Sequence, residues 1–225
     1  MVYFAAGLRP VEGRSLGGAL DAAIPFHPLA VVVYGSAYPL LLGPLFLVRD
    51  PDLFRRTWLG YAVCILVCGA CFVLWPVGSA DLRVPLDTVS TQTYLGWGIH
   101  LLYALDPPRN CFPSLHLALA TTGSLAVART GRAVGAAAFA WLAALALCVL
   151  MVKQHYVIDA VTGIGLGLAA AAAFLRDWRP AQGSASGAAS TGAAGALALL
   201  GFVGFAFAAL FALYAAGVAP PAPIW

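Results

Sequence analysis

The chain has 225 residues, of which 62% are hydrophobic and only 9% charged, with a formal net charge of +3. A soluble globular domain carries about 25% charged residues, so a water-facing surface is excluded and lipid is the expected solvent. The small positive charge is dispersed, with no basic run interleaved with aromatics, which excludes nucleic acid as a partner.

Residues 1–25 carry Arg9, Glu12, Arg14 and Asp21 and no continuous apolar stretch. They are expected to form a loop or interfacial segment and not a cleaved leader. Six apolar segments follow, at 28–48, 58–78, 112–128, 133–152, 156–175 and 193–218. Each approaches the roughly 20 residues that a spanning helix needs. Cys64, Cys68 and Cys71 fall at helical spacing in the second segment and Cys148 lies in the fourth. They read as small packing residues, since no His or carboxylate stands near the first three to complete a metal site. The longest connection, 79–111, contains Tyr94, Trp97 and Tyr103. Such aromatics favour the membrane interface, so one or two short interfacial helices are predicted across 91–105.

The third segment is short and starts with polar residues, which places its first turn in a water-filled cavity. In the fifth, Gly163, Gly165 and Gly167 are expected to let neighbouring helices approach closely. The Gly/Ser/Ala-rich stretch 179–192 is predicted to be a loop, and the proline-rich tail 220–223 a frayed end. The expected architecture is all-α: one polytopic membrane domain over 1–225 with six transmembrane helices, its chemistry within 110–175.

Six spans put Arg49, Arg55, Arg56, Arg129, Arg132, Arg176 and Arg179 on one side. The other side holds Arg9, Arg14, Arg83, Arg109 and Lys153, the chain's one lysine. Basic residues mark the cytoplasmic side, so the 79–111 connection is expected to face away from the cytoplasm.

Two polar segments each open a spanning helix: Asn110-Cys111-Phe112-Pro113-Ser114-Leu115-His116 and Lys153-Gln154-His155-Tyr156-Val157-Ile158-Asp159. One crossing separates the two helices, so both start on the same membrane face and their polar groups share one depth. His155 and Asp159, four residues apart, fall on one helical face. An Asp bonded to one ring nitrogen fixes the tautomer and leaves the other nitrogen more basic, as a nucleophile or general base requires. His116 offers a second imidazole that can protonate a leaving oxygen. Lys153, Arg109 and Arg83 can neutralise phosphate oxygens, and Ser114 with the free N–H groups of its helix start forms an anion cradle.

Other readings compete with this one. His27 and His100, without ionisable partners at helical spacing, read as packing residues. The His155/Asp159 pair read alone is equally a satisfied polar pair between helices. Two His and one Asp also form a zinc ligand set with an open position, although Lys153 and Arg109 nearby favour an anion over a cation. A transporter or proton relay would spread its polar groups through the membrane depth, and here they gather at one face.

Pro113-Ser114-Leu115-His116 followed by His155-Tyr-Val-Ile-Asp159 resembles the type 2 phosphatidic acid phosphatase (PAP2) superfamily. The spelling Phe-Pro-Ser-Leu-His and Gln-His-Tyr-x-x-Asp, then Gly163, is most similar to its inositol phosphorylceramide synthase branch, as are Pro25-Phe-His-Pro28, Tyr34 and Ser36. The resemblance implies a six-helix membrane fold and metal-independent, cofactor-free phosphoryl transfer on a membrane lipid through a phosphohistidine. In it His155 matches the nucleophile, Asp159 its orienting partner, His116 the acid and Ser114 a phosphate-binding position. The superfamily's first motif has no counterpart here, and Arg83 or Arg109 stands in for it. Val149 occupies the place of an arginine that normally precedes the nucleophile, and Lys153 supplies the charge instead.

Overall fold

A computed structural model of the chain describes residues 13–180 and 188–222. The described residues are helical, with two isolated β-bridges. The helices are α1 (Ala19–Ala23), α2 (Ala30–Leu40), α3 (Gly43–Leu47), α4 (Pro51–Leu74), α5 (Tyr94–Leu105), α6 (Leu115–Val127), α7 (Arg132–Met151), α8 (Val157–Leu175) and α9 (Ala188–Ala215), with a 3-10 turn at Leu86–Thr88.

Four helices are long and apolar enough to cross a membrane: Pro51–Leu74, Arg132–Met151, Val157–Leu175 and Ala193–Ala215. Two further apolar helices, Ala30–Leu40 and Leu115–Val127, are shorter. At 11 and 13 residues they extend about 16 and 20 Å, less than a hydrocarbon core of about 30 Å. The expected first span 28–48 is thus two helices, α2 and α3. Pro44 explains the break: it has no N–H to give and its ring collides with the carbonyl four residues back, that of Leu40. The expected second span begins seven residues earlier than its apolar stretch. Asp50 caps it by accepting from Leu53 N–H at 2.8 Å, and Pro51 occupies the first turn. There Asp52 pairs with Arg55 and Arg56 at 3.0 and 2.6 Å, so charged side chains belong to the helix head.

Side-chain placement is the reverse of a soluble protein. Leu74 is 82% exposed and Phe205 72%, whereas Thr57, Thr121, Thr122 and Ser124 are buried. The buried hydroxyls of Thr57 and Thr122 donate to Leu53 O (2.7 Å) and Ala118 O (3.0 Å), four residues back. This is how polar groups are satisfied where water is absent.

Helix α6 is the axis of the bundle, buried along most of its length against α4, α7 and α8. A Cβ on Gly163 would lie 2.5 Å from Ser114 O, and one on Gly167 2.5 Å from Ala118 O. These two glycines therefore let α8 lie against α6. Gly165, expected to act with them, faces open space. An apolar cluster including Tyr34, Ile99, Leu117, Leu145 and Val149 ties α2, α5, α6 and α7 together.

Helix α5 is a short helix within the expected 91–105, and the 3-10 turn at Leu86–Thr88 lies before it, outside that range. The expected loop 179–192 is helical from Ala188; residues 181–187 lie outside the described residues, as do 1–12 and 223–225. Residues 218–222 are non-helical, in keeping with the expected tail.

Candidate active site

The starts of α6 and α8 are bonded to each other. Ser114 caps α6 from an extended backbone conformation, and its N–H donates to the carbonyl of Asp159 at 3.1 Å. Asp159 lies in the first turn of α8, where its Oδ2 accepts from Tyr156 N–H at 2.9 Å. The two motifs thus share one backbone joint.

His155 stands at that joint. Its Nδ1 is 3.5 Å from Asp159 Oδ2 and its Nε2 is 3.3 Å from Ser114 Oγ. The first contact is at ion-pair rather than hydrogen-bond distance. His155 Nδ1 and Asp159 Oδ1 have no hydrogen-bond partner although both are buried. The His116 ring centroid is 6.2 Å from that of His155. His155, His116 and Asp159 are 4%, 8% and 0% exposed, so a charge arising among them is held in a medium of low dielectric.

A second polar network lies behind His116. Its ring packs against those of Tyr34 and Tyr38, with centroids 5.2 and 5.5 Å away. Tyr34 OH donates to Asp106 Oδ2 at 2.5 Å and lies 3.4 Å from His116 Nδ1. Gln154 Nε2 donates to the same Asp106 oxygen at 3.0 Å. Arg83 donates to Gln154 Oε1 (2.8 Å), Tyr103 O (3.2 Å) and Asp106 O (2.6 Å), and its guanidinium lies 4.6 Å over the Tyr103 ring.

The two remaining bases take different positions. Lys153 adopts a left-handed backbone (φ 59°) in the turn between α7 and α8, and its ammonium donates to the carbonyls of Asp21 (2.9 Å) and Ile24. It fastens α1 and the residue that follows it to the turn that carries His155. Arg109 is half-buried in the turn leading into Asn110 and Cys111. His100 Nε2 is 2.8 Å from Val89 O, as expected of a packing histidine, whereas His27 is exposed.

The site is closed from outside by loop pairing. Arg14 and Asn110 both bridge to Val77, and Cys111 N–H donates to Val77 O at 3.3 Å. Tyr156 OH donates to Asp81 Oδ1 (2.5 Å) and lies 2.8 Å from Gly78 O, and the other Asp81 oxygen accepts from Ser15 at 2.6 Å. Burial pushes the Asp81 carboxyl up, but the Ser15 and Tyr156 hydroxyls outweigh it and hold the group below its ordinary value.

Cys111, His155 and Asp159 bring three potential ligand atoms within 4.8 Å of one another, the one such group among the described residues. The thiol donates to Pro108 O at 3.1 Å. Burial, reinforced by the Asp159 charge, pushes it well above the ordinary thiol range. A metal held there would need the thiolate.

A family model described as the PAP2 superfamily matches residues 13–173. The chain belongs to the PAP2 superfamily. Members of that superfamily are phosphatases and phosphotransferases. The matched region of this PAP2 protein contains both motif segments, the 79–111 connection and most of α8. No curated protein and no solved structure matches the chain. Sequence reasoning did not single out Asp106, and it quoted Gln154 and Tyr34 only within motifs, without the contacts they make here. One signal was present: Asp106 is the sole acid between Asp87 and Asp159, set in an apolar context between Leu105 and Pro107.

Proposed function

We propose that this protein is an integral membrane enzyme that cleaves or transfers the phosphate ester of a lipid through a phosphohistidine on His155. The observation that carries the proposal is the joint between Ser114 N–H and the Asp159 carbonyl. It holds one imidazole between a carboxylate and a hydroxyl, with a second imidazole alongside. In this reading His155 Nε2 attacks phosphorus, and the bond to the lipid oxygen breaks. His116 gives its Nε2 proton to that oxygen, and Asp159 stabilises the imidazolium. Water or a lipid hydroxyl then attacks the phosphohistidine, the P–N bond breaks, and His116 takes the proton back. Ser114 and Arg109 hold the phosphate oxygens. Lys153 and Arg83, also expected there, act from the positions their present bonds give them: Lys153 by fixing the His155 turn, Arg83 by balancing Asp106.

A lipid substrate is favoured by an apolar cavity of about 460 Å³ between α2, α5 and α9. Its lining runs from Tyr38 and Asp106, beside His116, past Trp97 and Leu102 to Phe207 and Leu210. We further propose six crossings, with α2–α3 and α6 as the short ones, and a site on the non-cytoplasmic side. Within the superfamily the motif spelling favours the inositol phosphorylceramide synthase branch, and hence head-group transfer from a phosphoinositol-type lipid over hydrolysis of phosphatidate or a polyprenyl phosphate.

The test is release of the lipid alcohol from a panel of lipid phosphates by the protein reconstituted in liposomes, beside His155→Ala. The wild type is expected to release alcohol, to carry acid-labile, base-stable phosphate when quenched mid-reaction, and to ignore a chelator. Full activity in His155→Ala overturns the mechanism. Loss of activity on chelation, restored by zinc, favours metal-dependent hydrolysis at Cys111, His155 and Asp159 instead.

A further inference from the structure

The mechanism proposed above gives Tyr34 and Gln154 no part and Asp106 no more than a charge for Arg83 to balance, although all four lie buried or half-buried behind His116. The proton positions in this network follow from chemistry. Arg83 can only donate, so the Gln154 atom it meets at 2.8 Å is the amide oxygen. The Gln154 amide nitrogen therefore donates to Asp106 Oδ2 at 3.0 Å. The same oxygen lies 2.5 Å from Tyr34 OH. Both donors need only an acceptor there, and the neighbouring Arg83 guanidinium favours the carboxylate form of Asp106. Its charge is offset by Arg83, which also bonds the Asp106 carbonyl at 2.6 Å.

Tyr34 has one hydroxyl proton, and Asp106 takes it. Toward His116 the phenol oxygen can then only accept. Its partner there is His116 Nδ1, 3.4 Å away, and this makes Nδ1 the protonated nitrogen. The other ring nitrogen, Nε2, is left to carry the transferable proton.

We infer that Asp106 and Tyr34 are positioning residues for the acid step: an Asp106–Tyr34–His116 relay that sets the His116 tautomer and supports its imidazolium form. This rests on the phosphohistidine reading. It gives the site two carboxylate-backed imidazoles, His155 backed directly by Asp159 and His116 backed by Asp106 through a phenol. When the bond between phosphorus and the lipid oxygen breaks, the proton on His116 Nε2 passes to that oxygen, and Nδ1 keeps its own proton against Tyr34. During formation of the phosphohistidine the relay matters when the leaving oxygen needs a proton and is idle when it does not; the later attack on the phosphohistidine is common to all esters.

The experiment compares two esters in liposome-reconstituted full-length protein. One is an alkyl lipid phosphate, whose leaving alkoxide needs protonation. The other is p-nitrophenyl phosphate, whose leaving phenolate needs none. Tyr34→Phe removes one oxygen from a fully buried ring and keeps its packing. It is expected to slow single-turnover release of the alkyl alcohol about 10–100-fold, with KM within about twofold, while single-turnover release of p-nitrophenolate stays within about threefold of wild type. Asp106→Asn should show the same split, and His116→Ala a larger one. Equal losses on both esters, or a loss confined to KM, overturn the relay. His155→Ala should silence both esters; persistence of both there refutes the phosphohistidine reading itself, a result that Tyr34→Phe cannot produce. If Asp106→Asn does not fold, Tyr34→Phe decides alone.

Discussion

At the scale of single residues, Asp159 has two tasks on one oxygen. Its Oδ2 caps the first turn of α8 through Tyr156 N–H and faces His155 Nδ1. The first task needs only an acceptor, the second a charge. Asp159→Asn separates them, because the amide oxygen still accepts from Tyr156 while the charge is gone. Thermal stability in detergent is expected to fall by about 1 kcal/mol or less, the scale of a partly retained cap. Turnover is expected to fall about 10³–10⁴-fold, as when a histidine base loses its anionic partner. Parallel losses in both, with activity tracking the folded fraction, would reduce Asp159 to a cap. This pair was legible in the sequence because four-residue spacing on a helix is a local rule. The Tyr34–Asp106 contact was not, since the two are 72 residues apart and no periodicity couples them. Nor was the position of Lys153. Its charge suggested an anion, but backbone carbonyls, which every sequence offers everywhere, claim its ammonium.

At the scale of elements, the geometry of the site depends on how closely α8 approaches α6. A Cβ at Gly163 would lie 2.5 and 3.0 Å from the carbonyl oxygen and Cβ of Ser114, the residue that contacts His155. Gly163→Ala must push α8 away at that point. Stability should fall by about 1–3 kcal/mol, the usual cost of overpacking, and turnover should fall with it even in the protein that remains folded. Gly165→Ala, which meets nothing within 4 Å, should leave turnover unchanged and raise stability by up to about 1 kcal/mol through helix propensity. Melting curves and specific activity of the two variants, side by side, check this; equal behaviour would mean that the approach of α8 does not set the site. Sequence reading recognised the three small residues but could not rank them, because rank depends on which helix face meets α6. The same limit governed the first span. Apolar composition ran unbroken from 28 to 48, and only the proline geometry at Pro44 divides it into α2 and α3.

At the scale of the molecule, the bundle has two unlike ends. One gathers the helix starts of α6 and α8, the paired loops around Val77, and both histidines. At the other, Arg49, Arg55 and Arg56 lie around the start of α4, Arg129 and Arg132 around the α6–α7 turn, and Arg176 and Arg179 at the end of α8. Arg56 also reaches across to Phe174 O at 3.1 Å, which joins the two helix ends there. Arginines in short loops next to membrane helices stay on the cytoplasmic side, so the site end is predicted to face outward. Two exposed positions report on this without altering a base: Ser90, before α5, and Asp177, just after α8. In a background lacking the five native cysteines, an impermeant maleimide added to intact cells should label Ser90→Cys and spare Asp177→Cys until the cells are opened. The reverse pattern would overturn the orientation. The outward result has a chemical consequence. Phosphate or a transferred head group would then appear outside the cytoplasm, so the substrate must be a lipid whose head group reaches the outer leaflet before this enzyme can act on it.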